Sequence, residues 1–342
     1  MENNFSAKTN LRYNVMDSNK SFFYVMLIQI IAPLVFALLM VLPLIISKLG
    51  ASENVTQDIS GILQSVIIAG LFLVFIIVYH KKGKINFKSA NDFSFKLNPL
   101  LVGLIVVILV VCIVSFFPLI NMIFSAIETT GYDTTGEVAF AMTSWWRLLI
   151  GIVIYCALPS IVEEIIFRGM MLKGALNRAK PIVAITISAL AFFIMHGSLI
   201  QSFYQLILGF VLGIICYYTK NIVYPIIFHF LNNLSVVLMG YFNIGGFLNG
   251  FSLTVSGFFL AIGLAVVGAA AIFGIVLLIR HISNKGKDST YELVVDENNI
   301  ILEEKKEKMG FKEFISSFIL DEKFYFYSSW FIAIFMWLFN SF

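Results

Sequence analysis

Apolar residues in this chain come in long runs rather than in the alternating or three-to-four-residue rhythm of a soluble fold, and short polar stretches separate the runs. A bilayer core of about 30 Å is crossed by roughly 20 apolar helical residues. Backbone polar groups at that depth must be satisfied within the segment, so each run is predicted as a helix. Eight runs qualify: Phe22 to Ser47, Ile59 to Tyr79, Leu97 to Ile123, Trp145 to Ala175, Pro181 to His196, Ser202 to Tyr218, Ile222 to Phe242 and Leu253 to Ile279. The pattern predicts an all-α, polytopic transmembrane helical bundle of about eight spans. Residues 1–21 read as a cytoplasmic N-terminal segment and 22–279 as the bundle. A polar cytoplasmic arm follows at 280–323, with "EEKKEK" at Glu303 to Lys308. The last stretch, 324–342, is apolar and aromatic, with the length of a ninth span or an interfacial helix.

Composition agrees, with 59% hydrophobic and 13% charged residues and a mean hydropathy of +0.92, far from the values of soluble domains. A net charge of +3 is too small to suggest nucleic acid as a partner, and no basic stretch is interleaved with aromatics. The three cysteines, Cys112, Cys156 and Cys216, lie inside apolar runs and read as small core residues. Lys8, Arg12 and Lys20 precede a long apolar run without the cleavage site of a secretory signal, so the first span is expected to remain.

Charge placement predicts orientation, since lysine and arginine in short loops stay cytoplasmic. Lys81, Lys82, Lys84, Lys88 and Lys96 mark the second loop, Lys173, Arg178 and Lys180 the fourth, Lys220 the sixth, and Arg280, Lys285 and Lys287 the segment after the eighth span. The first loop carries Glu53 and Asp58, the third Glu128, Asp133 and Glu137. A multi-pass cell-membrane protein with a cytoplasmic N-terminus is expected. No internal repeat suggests the inverted halves of a transporter.

Ionisable side chains at membrane depth are costly and mark candidate functional positions. The fourth span holds Glu163, Glu164 and Arg168 in "LPSIVEEIIFRGMM"; His196 ends the fifth; the seventh holds His229 with Asn232 and Asn233. The other two histidines, His80 and His281, lie at span ends and read as interfacial. Residues four apart share a helix face while neighbours diverge by about 100°. Glu164 and Arg168 are therefore expected to pair, leaving Glu163 available to take and give protons. Ser188, Phe192 and His196 share a face, as do His229 and Asn233. At about 1.5 Å per residue, Glu163 and His196 lie roughly 18 and 22 Å from the cytoplasmic ends of their helices and can meet. Pro159 and Pro225 each precede a polar candidate by four residues, freeing the carbonyls of Tyr155 and Asn221 and predicting kinks that admit water. Gly209 and Gly213 read as a close-packing pair.

A carboxylate, two imidazoles and an amide suit hydrolysis of a peptide bond: Glu163 and His196 to hold and activate water, His229 and Asn233 to donate to the oxyanion. No serine or cysteine is placed as a nucleophile beside a histidine, and HExxH is absent. No cofactor is certain, but Glu163, His196 and His229 are an adequate set for a divalent metal such as zinc.

The three motifs, Glu163-Glu164-xxx-Arg168, Phe192-xxx-His196 and His229-xxx-Asn233, resemble in kind and order those of the CPBP intramembrane proteases. That family includes the CAAX-prenyl endoprotease and the bacterial Abi proteins linked to bacteriocin processing and self-immunity. The resemblance covers 145–242. It implies a catalytic set of Glu163, Glu164, Arg168, His196, His229 and Asn233 facing the cytoplasm, with the first glutamate and first histidine activating water and the second histidine and asparagine forming the oxyanion hole. Members were first taken for zinc enzymes, and a metal-free glutamate mechanism is now favoured for the prenyl endoprotease. The loops look bacterial, which points to a membrane-associated peptide or protein substrate such as a bacteriocin or pheromone precursor. The alternatives are a non-catalytic membrane scaffold or immunity protein binding a membrane partner, which the polar arm suggests, and a transporter with Glu163 as proton carrier.

Overall fold

The computed structural model describes residues 12–50, 52–131, 142–197, 199–244, 254–284, 293–295, 301–303, 310–313, 315–316 and 323–341. The first apolar run forms α1 (Val15–Leu39) and α2 (Val41–Lys48), which part at Met40. Next come α3 (Glu53–Gly83), the single turn α4 (Phe87–Ala90) and α5 (Pro99–Glu128). The fourth run is one long helix, α6 (Trp145–Leu176), followed by α7 (Pro181–Met195), α8 (Leu199–Thr219), α9 (Val223–Phe242) and α10 (Val255–Asn284). The last helix is α11 (Lys323–Ser341). Among the described residues six stretches, α1 with α2, α3, α5, α6, α9 and α10, are long and apolar enough to cross a membrane, and α7 and α8 are shorter apolar helices. The chain is a polytopic helical bundle. Strands Leu293–Val295 (β1) and Ile301–Glu303 (β2) pair antiparallel, a short addition that leaves this class unchanged.

Helix α6 is the axis of the bundle, packed by α1, α3, α7, α8 and α9. All eight residues from Ile165 to Leu172 are buried. Outside this ring, α10 lies along α5 and α11 along α1. The three cysteines are buried, as small core residues would be. The glycine pair of α8 allows close approach: a Cβ on Gly209 would lie 3.0 Å from the Ala189 Cα, and one on Gly213 3.0 Å from Ile185.

Several boundaries differ from expectation. Residues 15–21, placed ahead of the first span from sequence, are already helical, because α1 begins at Val15 under a reciprocal cap: the Asn14 side chain accepts from Asp17 N and Asp17 from Asn14 N. Ser18, Asn19 and Ser21 are buried; the Ser18 hydroxyl donates to Met171 O at 2.9 Å and that of Ser21 to Ser18 O at 2.8 Å, so protein carbonyls rather than water serve the two hydroxyls. At the other end α10 continues to Asn284, carrying Arg280 and His281 as helix rather than arm. His80 lies in the last turn of α3, at a span end as expected. It is buried, with Nδ1 2.7 Å from Ile76 O and Nε2 2.7 Å from the Tyr13 hydroxyl, which also accepts from Asn91. In the first loop Asp58 pairs with Arg147 across α3 and α6. Asp133, Glu137, Lys285, Lys287 and most of "EEKKEK" lie outside the described residues.

Pro225 gives no mid-helix kink. Pro225 lies in the first turn of α9, where a missing N–H breaks no helical bond. Around Pro159 the helix widens instead: Ile152–Ala157 and Ile165–Leu172 are π-helical, bracketing the α-helical Leu158–Glu164. Such turns are uncommon and cluster at functional sites.

Candidate active site

The wide turns of α6 present its two glutamates to different surroundings. Glu164 and Arg168 are wholly buried and joined at 2.8 Å between Oε1 and Nη1, the pairing that their spacing predicts. Nδ1 of His229, on α9, lies 2.9 Å from the same Glu164 oxygen. Two donors on one oxygen hold Glu164 as an ionised acceptor. Arg168 is fixed on two further sides: its Nη2 donates to Gly209 O at 3.3 Å, and its guanidinium sits 4.3 Å from the centre of the Phe192 ring. The glycine that packs α8 on α7 thus also supplies an acceptor for the buried arginine.

Glu163 faces the other way. Its side chain is 14% exposed where that of Glu164 is fully buried, so it is the carboxyl a substrate can reach. It is not isolated, because its Oε2 lies 4.0 Å from Nε2 of His229. That oxygen has no hydrogen-bond partner within the protein. His229 stands between the two carboxyls, one ring nitrogen bonded to Glu164 and the other turned to Glu163.

His196 is delivered by a helix end. α7 stops at Met195, His196 is its cap, and Gly197 follows at φ +62, the left-handed turn that glycine adopts most readily. The His196 Nδ1 lies 2.8 Å from Phe192 O. A carbonyl only accepts, so Nδ1 carries the hydrogen and a neutral ring presents a bare Nε2. Phe192 packs edge-on against both imidazoles, with ring centres 4.6 Å from His196 and 5.8 Å from His229. Glu163 and His196 line one cavity of about 250 Å³, completed by residues of α1, α3 and α11.

Asn233 sits one turn beyond His229. Its Nδ2 donates to Tyr155 O at 3.1 Å, the carbonyl that Pro159 frees, and its Oδ1 accepts from Asn232 at 3.3 Å. Asn232 in turn accepts from the Tyr204 hydroxyl. One amide hydrogen of Asn233 is therefore committed to α6 and one remains for other partners. Ser188, on the His196 face of α7, donates to Phe167 O at 2.9 Å and ties α7 to α6. Among the described residues no three His, Cys, Asp or Glu side chains gather as a metal-binding group, and Glu163, His196 and His229 as placed do not form one.

Gln29 and Tyr204 were missed from sequence. Gln29 lines the cavity from α1 and donates to the Met195 sulfur at 3.2 Å. Its signal was available: it is an amide inside the apolar run "YVMLIQIIAPLV". Tyr204 gave no such signal, since tyrosine is ordinary at span ends.

Fold and site together define a multi-pass membrane protein with a buried carboxyl–imidazole centre. Residues 144–235, which carry all seven residues of the three motifs, match the family model described as Rce1-like, type II CAAX prenyl endopeptidase Rce1-like. The matched segment, 92 of the chain's 342 residues, is similar to that family. No curated protein and no solved structure matches the chain.

Proposed function

We propose that this protein is an intramembrane endopeptidase that hydrolyses peptide bonds of membrane-associated peptides or proteins with water activated by Glu163 and His196. The observation that carries this reading is the shared cavity: the one glutamate of the pair that is not tied into the Arg168 ion pair lines it together with His196. In this scheme Glu163, aided by the bare nitrogen of His196, takes a proton from water as the water oxygen attacks the scissile carbonyl carbon. The second nitrogen of His229, which donates only when the ring carries hydrogens on both nitrogens, and the uncommitted amide hydrogen of Asn233 donate to the oxyanion that forms. Glu163 returns the proton to the amide nitrogen as the carbon–nitrogen bond breaks. Glu164 and Arg168 act through His229: they hold its ring so that the far nitrogen faces Glu163.

The lysines of the second, fourth and sixth loops support a cytoplasmic N-terminus. A bacteriocin or pheromone precursor is the substrate that the resemblance favours. Protein reconstituted in liposomes is expected to cleave a membrane-associated peptide, and Glu163→Ala and His196→Ala each to abolish cleavage while expressing normally. Unchanged turnover in both variants rejects the reading.

A further inference from the structure

The cavity beside Glu163 is built from two sources. The family-matched segment supplies its chemical wall, Glu163 and His196 among others, whereas α1, α3 and α11, all outside residues 144–235, supply the facing walls. Ala333 and Met336 project from α11 and Met26 and Gln29 from α1. Ala333 is 1% exposed, so its methyl group marks the end of available space on that side.

Helix α11 is held at this depth by aromatic contacts rather than laid loosely on the bundle. Trp330 packs on Phe22 with ring centres 5.1 Å apart, Tyr325 on Phe23 at 5.4 Å, and Trp337 on Phe193 of α7 at 5.7 Å. Lys20 lies over the Tyr325 ring at 5.4 Å. Lys20 and Phe23 of α1 meet Tyr325, and further along both helices Met26 and Gln29 share the cavity lining with Ala333 and Met336, so α11 runs in the same direction as α1 and brings Ala333 to the cavity that Glu163 lines. The lining of these facing walls is apolar apart from Gln29. At about 250 Å³ the cavity is smaller than the roughly 300–1,000 Å³ that whole small-molecule ligands occupy, which suits a side chain or two. Its methionines can adjust in shape, so the small, rigid methyl of Ala333 is the part of the wall that limits size.

We infer that α11, through Ala333 and Met336, forms the pocket that receives an apolar side chain of the substrate next to the scissile bond and sets the largest size accepted. This rests on the endopeptidase reading for the word scissile, but the pocket itself can be tested without cleavage. The probes are membrane-reconstituted, internally quenched peptides with one position varied through Ala, Leu, Met and Phe, and the same peptides with a photoreactive leucine there.

Two readouts are taken on the full chain. Photo-crosslinking to Glu163→Gln, read by peptide mapping, is expected on α11 near Ala333 and Met336. Cleavage by Ala333→Leu should show the Leu-to-Ala ratio of kcat/KM reduced about tenfold, the scale of one or two methylenes in a closed pocket. Met336→Ala, which enlarges the space and guards against a folding failure of the first variant, should raise the Phe-to-Leu ratio. Crosslinks on α11 without wild-type cleavage leave the pocket standing and overturn the endopeptidase reading. Cleavage with unchanged ratios in both variants, or crosslinks that avoid α11, overturns the pocket and leaves the endopeptidase reading intact.

Discussion

At the residue scale the site depends on how many donors each carboxyl holds. Glu164 receives Arg168 at 2.8 Å and His229 at 2.9 Å on one oxygen, inside a shell from which solvent is absent. Removing one partner of such a buried pair leaves a charge without compensation, which costs several kcal/mol and is only partly relieved when the unfolded helices find partners in lipid. Arg168→Ala is therefore expected to lower stability by about 3 kcal/mol, read as a clear drop in melting temperature in detergent. Glu163→Gln should not lower it, because Glu163 Oε2 makes no hydrogen bond within the protein that the amide would break. If the two variants melt alike, the division of labour between the glutamates is wrong. This division was legible from the spacing of "EEIIFR". The position of His229 between the two carboxyls was not, because spacing along one helix carries no information about which face of another helix meets it.

At the element scale, the apolar runs were legible because a bilayer crossing demands length, and length is visible in a sequence. The π-helical turns of α6 were not, since no residue pattern separates them from α-helix; only the proline at 159 signalled that a carbonyl would be free, and its taker, Asn233, lies 78 residues away. The true start of α1 was hidden for a different reason: Asp17, Ser18 and Asn19 look like solvated residues but are buried against other elements. Packing of α8 on α7 is tight enough to test. At Gly209 a Cβ would meet the Ala189 backbone at 3.0 Å, and its carbonyl accepts from Arg168. Gly209→Val is expected to separate the two helices, cost about 1–3 kcal/mol and lower cleavage together with melting temperature. A variant that melts like wild type contradicts the close approach.

At the scale of the whole molecule, the cavity is assembled from positions 26–29, 68–72, 163, 194–197 and 333–336, almost the full span of the chain. The wall to which chemistry is assigned under the proposed function was readable from the sequence, because Glu163 and His196 both lie in the short motifs. The walls contributed by α1, α3 and α11 were not, because a lipid-embedded helix is apolar on every side and its sequence does not say which side faces a cavity. That arrangement places a family-like catalytic wall opposite walls drawn from outside the matched segment. The claim that joins the scales is that Glu163 performs chemistry rather than holding structure. The most direct measurement reconstitutes wild type and Glu163→Gln side by side in liposomes with a panel of membrane-associated peptides and follows new peptide termini by mass spectrometry. Cleavage by wild type at defined bonds, absent in a Glu163→Gln protein of equal melting temperature, is the predicted result. Cleavage that persists in Glu163→Gln contradicts the account.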